Sequence, residues 1–187
     1  LERITRKDAI FDETKLDWMN GEYIKTMGAK AWVDAVSPFL IEAGLTTKEA
    51  IEENKEWYEK LYPLVAERMK RAPEKLAFIF DGPTVKLDEK SVQKNLLKEG
   101  CRADEVLRKV RAILADESIP WQCDPLQDTC RELVDTLGLK AKLIFQPIRV
   151  AVTGSQVSPP LFESIELMKR SDVVARIDYT LSEVFGD

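Results

Sequence analysis

Lys142-Leu143-Ile144-Phe145-Gln146-Pro147-Ile148-Arg149-Val150-Ala151-Val152 is the stretch on which the fold class turns. Ile148, Val150 and Val152 alternate as a half-buried strand would. The same residues read equally as a short helix, with Pro147 in its first turn and Gly154 just past its end. The rest of the chain offers no second strand, and a strand without a partner is not stable. The helix is therefore the expected state, and with it an all-α chain.

Outward from that stretch the periodicity is helical. Ala103, Val106, Leu107, Val110, Ile113 and Leu114 form one apolar stripe with Arg108, Lys109 and Arg111 off it. Leu126, Cys130, Leu133, Val134 and Leu137 repeat the pattern, and Gly138 supplies a left-handed stop that lets Leu139 fold back. Thr46 with Glu49 reads as a capping box, opening a run that Pro63 should break. Asp88 or Ser91 opens a short helix that Gly100 ends. Ser158 followed by Pro159 reads as a capped helix start, with Leu161, Phe162, Ile165 and Met168 as its buried face. Ser171 should cap a last helix whose stripe is Val174, Ile177, Leu181 and Val184 or Phe185. Turn residues cluster at Asp81-Gly82-Pro83-Thr84, the best boundary candidate, and again around Ile119-Pro120 and Asp124-Pro125. The expected body is helical and two-lobed.

The composition excludes much chemistry. Among 187 residues there is no histidine, which removes a histidine general base, a serine or cysteine nucleophile paired with histidine, and imidazole-dependent zinc sites. Glycines are scattered singly, with no phosphate loop. Acidic pairs such as Glu52-Glu53 and Asp116-Glu117 read as solvated helix faces. Trp18, Trp32, Trp57 and Trp121 read as core packing. Cys101, Cys123 and Cys130 form no CxxC and read as small buried thiols, and with no leader or long apolar run a cytoplasmic protein is expected. The start at Leu1 suggests a processed product or a piece of something longer.

The net charge of −5 argues against a protein that coats nucleic acid by bulk charge. The charge is uneven, however: residues 1–30 and 140–187 are each balanced, so the whole excess lies in 31–139. In the balanced C-terminal part, Arg149 stands amid Ile148, Val150, Ala151 and Val152. It either snorkels from a core helix or is held rigid for recognition, where its forked donors suit a base edge or a phosphate.

Three stretches give the chain a relation. These are Phe11-Asp12-Glu13-Thr14-Lys15-Leu16-Asp17-Trp18-Met19-Asn20-Gly21-Glu22-Tyr23-Ile24, then Pro38-Phe39-Leu40 with Ala43-Gly44-Leu45. The third and most specific runs from Gly138-Leu139-Lys140 through Gln146-Pro147-Ile148-Arg149-Val150-Ala151-Val152-Thr153-Gly154 to Ser158-Pro159-Pro160-Leu161-Phe162-Glu163. In these the sequence resembles the C-terminal half of bacterial glutamyl-tRNA synthetases, over nearly its whole length, with about 65–135 matching only in character. The resemblance implies the end of a stem-contact region at 1–30 and a helical anticodon-binding cage in two lobes, 31–80 and 81–187. It further implies an upstream catalytic domain that uses ATP and magnesium to join glutamate to its tRNA. This chain, without that domain, is expected to be inactive alone and to hold no cofactor or metal. The expected partners are the anticodon loop of glutamate tRNA and the catalytic domain of the same chain, with no membrane and a monomeric state.

Carried over by position, Arg149 matches the family's arginine for the third anticodon base, a cytosine. Gln146, Ser158, Leu161 and Phe162 match positions lining the pocket for the splayed anticodon. Arg68 is the candidate for the first anticodon base, with Lys70 or Arg71 as substitutes. The competing expectation is a helical protein–protein scaffold, supported by the acidic, amphipathic middle of the chain.

Overall fold

The computed structural model describes residues 13–65 and 69–186. The described residues form α-helices and two short 3-10 turns, with no strand among them. In chain order the helices are α1 (Glu13–Met27), α2 (Ala29–Glu42), α3 (Lys48–Glu53), α4 (Lys55–Glu59), α5 (Ala72–Phe80), α6 (Glu89–Asn95), α7 (Ala103–Ala115), α8 (Cys123–Leu137), α9 (Ala141–Thr153), α10 (Leu161–Glu166) and α11 (Arg170–Phe185). None of them is long and apolar enough to cross a membrane.

The helices pack as two neighbourhoods on one continuous apolar cluster. In the first, α2 lies against α4, α5 and the 3-10 turns, burying Trp32, Val36, Leu40, Leu61 and Leu76. In the second, α7 lies against α11, α9 and α8, with α10 on α8 and α6 on α9. The α7 stripe does what its spacing requires: Ala103, Val106, Leu107, Val110 and Leu114 are buried, and Ile113 is only partly covered. Truncating one of these, Leu107 for example, should cost about 2–5 kcal/mol through lost transfer energy and the cavity left behind. At the end of α8 the chain turns back at Gly138, whose φ is 62°. Leu139 N donates to Val134 O and Gly138 N to Asp135 O, the full left-handed stop.

The stretch 142–152 is helical, but it begins earlier than its proline suggests. α9 starts at Ala141, so Pro147 sits in its interior, where the missing amide leaves Leu143 O without its usual helical donor. Gly154 ends it as expected, in the left-handed region.

Several caps differ from expectation. Thr47, not Thr46, caps α3: it is extended and accepts from Ala50 N at 3.2 Å, while the Thr46 hydroxyl is engaged with Tyr58 Oη. The run beyond breaks first at Asn54, between α3 and α4, and Pro63 then lies in a 3-10 turn. Asp88 caps α6, which ends at Asn95, well before Gly100. Pro160, not Ser158, precedes the first turn of α10, because the Ser158 hydroxyl is turned to another partner. The face of α10 is nonetheless as expected, with Leu161, Phe162, Ile165 and then Met168 buried.

α11 starts at Arg170 with Lys169 rather than Ser171 at its cap. Its inward face is Val173, Arg176, Ile177, Thr180 and Leu181, so Val174 gives way to Val173. An arginine on the buried face is what hides that register from a count of apolar residues. Trp18 is 66% exposed, against the expectation of core packing, whereas Trp32 is fully buried.

Candidate nucleic-acid interface

The loop between α9 and α10 carries the site. Arg149 leaves α9 one turn before its end and reaches the loop's far side. Its Nη1 donates to Pro159 O at 2.9 Å, to Ser158 O at 3.3 Å and to Ser158 Oγ. All these bonds use one nitrogen; no described residue accepts from Nε or Nη2. Half-burial pushes the guanidinium below its ordinary value and Glu163 opposes that, yet an arginine stays charged at neutral pH. The structure ties one edge of this cation and leaves the other without an acceptor among the described residues.

The loop itself is stiff. The single Thr153 hydroxyl proton is within reach of Arg149 O at 2.9 Å and Ser155 O at 3.1 Å, and Val157 N donates to Ser155 Oγ at 3.2 Å. A Cβ at Gly154 would fall 2.1 Å from Lys86 O, so only glycine permits the close approach of the 85–88 segment.

Gln146 lies one turn before Arg149 on α9. Its Oε1 is buried without a hydrogen-bond partner among the described residues. Leu161 and Phe162 are 5% and 3% exposed, so they form a floor beneath the loop rather than an open platform. Phe162 meets Phe145 edge-to-face at 5.7 Å. The structure thus gathers Gln146, Arg149, Ser158, Leu161 and Phe162 around one loop. Arg68 lies outside the described residues. Its substitutes Lys70 and Arg71 are exposed, in the 3-10 turn that leads into α5.

Beside this loop a cleft of about 880 Å³ opens between α5, the 84–86 segment and residues 153–160. Ser158, Pro159 and Pro160 form one wall, and Lys25, Lys75 and Lys86 bring positive charge to it. The lysines were not singled out from sequence, because each lies in a charged run that looks like a solvated face. The opposite side of the loop is acidic. The Cys123 thiol there is pushed up to about 11 by burial and by the carboxylates of Glu163, Asp124, Glu166 and Asp128. Glu74 and Asp81 line the same cleft and Lys25 pairs with Glu22 at 2.8 Å, so its charge is mixed, whereas the carboxylates around Cys123 are of one sign.

The two helical neighbourhoods are tied across this region. Trp57 Nε1 donates to Leu167 O at 3.1 Å and Trp121 Nε1 to Met168 O at 2.8 Å, fixing the turn after α10 from both sides. Arg176, fully buried, donates to Phe78 O at 2.6 Å, Gly82 O at 2.5 and 2.8 Å, and Val152 O at 2.7 Å. It fastens the end of α5, the 81–84 turn and the end of α9 to α11.

Residues 31–181 match the family model of the anticodon binding domain. The chain is 33% identical over 183 residues to the glutamate–tRNA ligase of Symbiobacterium thermophilum, covering 95% of this chain and 36% of that protein. It is 35% identical over 184 residues to the glutamate–tRNA ligase of Cutibacterium acnes, covering 94% of this chain and 36% of that protein. A crystal structure of a glutamate tRNA ligase from Elizabethkingia meningosepticum superposes with a TM-score of 0.77 at 19% identity, covering 93% of this chain and 33% of that one. The chain spans about a third of the length of the curated relatives it matches.

Proposed function

The chain belongs to the anticodon-binding domain family, and on that premise we propose that it reads the anticodon of glutamate tRNA on behalf of a glutamate–tRNA ligase. Its role is recognition. The ATP- and magnesium-dependent attachment of glutamate would fall to the remainder of such a ligase, acting as a monomer in the cytoplasm. Residues 1–30 would belong to the stem-contact region, and the anticodon would be held between lobes 31–80 and 81–187.

The observation that carries this reading is the half-spent guanidinium of Arg149. Three acceptors on the loop fix its Nη1. Nε and Nη2 are then free to donate to the ring nitrogen or carbonyl of an unstacked cytosine, the third anticodon base. Lys75 and Lys86, in a cleft that also holds Glu74 and Asp81, would meet the phosphates that follow. Arg68, or failing it Lys70 or Arg71, would meet the first anticodon base.

The test is binding of an anticodon stem-loop RNA. Arg149→Ala should weaken it by about 1–3 kcal/mol with little change in fold. If the variant melts while its surviving folded fraction binds unchanged, the recognition role falls. The logarithm of affinity should also decline with the logarithm of salt, with a slope of roughly −0.7 per phosphate contact. Glutamate and glutamine tRNA compared side by side, with Arg68 and Arg149 substituted in turn, would show which base each arginine governs. Failure to retain any tRNA at low salt would return the chain to the scaffold reading.

A further inference from the structure

We infer that the capped first turn of α6, through Asp88 and Ser91, positions Arg149 for its base; the inference rests on the anticodon reading above. Arg149 is held mainly by backbone carbonyls, those of Ser158 and Pro159, so its pose is only as fixed as the path of residues 154–159. That path is fastened to α6 at two points. Asp88 N donates to Gly154 O at 2.8 Å, and Gln156 N donates to Ser91 Oγ at 2.9 Å.

The second bond is directional. The Ser91 hydroxyl donates to Asp88 Oδ2 at 2.7 Å, and Ser91 N reaches the same oxygen at 2.8 Å. With its proton committed to the carboxylate, the hydroxyl oxygen is turned to accept the Gln156 amide. Ser91 is fully buried, so water cannot replace it. Asn95 adds a longer contact to the Gln156 side chain at 3.5 Å and accounts for itself by donating to Ser91 O at 3.0 Å. A continuous line of fixed groups therefore runs from Asp88 through Ser91 and Gln156 to Ser158 and the guanidinium. Ser91 and Asp88 touch no RNA in this scheme and act only through Arg149.

The experiment combines two readouts on the same variants. Amide hydrogen exchange at Gln156 should accelerate in Ser91→Ala. Affinity for an anticodon stem-loop with cytosine at the third position should fall roughly three- to tenfold, the loss expected when one fixing hydrogen bond is removed. Asp88→Ala, at an exposed position, provides a variant that keeps the core intact and should lose affinity in the same direction. In an Arg149→Ala background neither substitution should weaken binding further. Full additivity with Arg149→Ala, or unchanged exchange at Gln156, overturns the positioning role. Loss of affinity in Arg149→Ala without any loss in Ser91→Ala or Asp88→Ala overturns it while leaving the anticodon reading intact. No effect of Arg149→Ala itself sinks that reading and the positioning role together.

Discussion

Two arginines in this molecule sit in nests of backbone carbonyls, and they differ in what they leave over. Burial pushes both guanidinium groups below their ordinary value. Arg176 spends Nε, Nη1 and Nη2 on Gly82, Val152 and Phe78, and nothing of it reaches solvent. Arg149 spends Nη1 alone and stays half-buried behind the loop it holds. The first is a tie between distant segments; the second is a fixed tool with unused donors. Desolvation alone does not separate them. The count of satisfied donors does.

The largest test of that contrast is Arg176→Met. It strands three carbonyls in the interior, and each unsatisfied buried acceptor is expensive. A loss of about 3 kcal/mol in urea unfolding is expected, against about 1 kcal/mol for Arg149→Ala. Equal losses would erase the distinction. Next comes Gly154→Ala, which acts between the two nests, after Val152 and before Ser158. Its left-handed φ of 78° and the contact a Cβ would make with Lys86 O should cost about 2–3 kcal/mol. Because the loop must shift, RNA affinity should fall in the folded fraction as well.

Arg149→Lys asks whether the unused donors matter rather than the charge. Lysine can satisfy the carbonyls of Ser158 or Pro159 with one compact group, so stability should stay within about 0.5 kcal/mol. It has no second edge to offer, so discrimination between cytosine and guanosine at the third anticodon position should largely vanish. Retained discrimination in that variant would make Arg149 a point charge and nothing more.

How far the sequence reveals this contrast depends on the reach of each interaction. The helices, their stripes on α7 and α8, and the stop at Gly138 follow from local spacing and were legible. Arg149 stands out in the sequence as a lone charge amid Ile148, Val150, Ala151 and Val152, but its bonds to Ser158 and Pro159 emerge only in the fold. Arg176 stands in the same kind of company, between Val173, Val174 and Ile177, but its acceptors at Phe78 and Gly82 lie more than ninety residues away. Nothing local marks it, and for that reason apolar spacing places the face of α11 on Val174 when it lies on Val173. The lysines of the cleft were hidden similarly, since three separate segments bring them together. The chemistry of Ser158 suits a helix cap; only the fold shows that Arg149 claims it.

The smallest expected effect separates the two nests by acid. Asp88 is held below the ordinary carboxylate value, first by the Ser91 hydroxyl and then by the Ser91 amide, with Lys90 nearby. A depressed carboxylate contributes stability above its unfolded value and loses it as pH falls through the folded one. Protonation therefore releases the Ser91 hydroxyl only below the ordinary aspartate range, as pH falls through the depressed folded value. In that window exchange at the Gln156 amide should rise, and Asp88→Asn should flatten the response. Asp116 is depressed by Ser118 in the same manner, so it titrates alongside and global unfolding cannot distinguish the two. The local amide can. Asp81 and Asp172 act on Arg176 through charge and not through a hydrogen bond, whereas Asp88 is hydrogen-bonded to the Ser91 that holds the Arg149 loop, so amides at the ends of α5 and α9 should keep more of their protection than Gln156. A simultaneous loss in both places would mean that the two nests open as one unit.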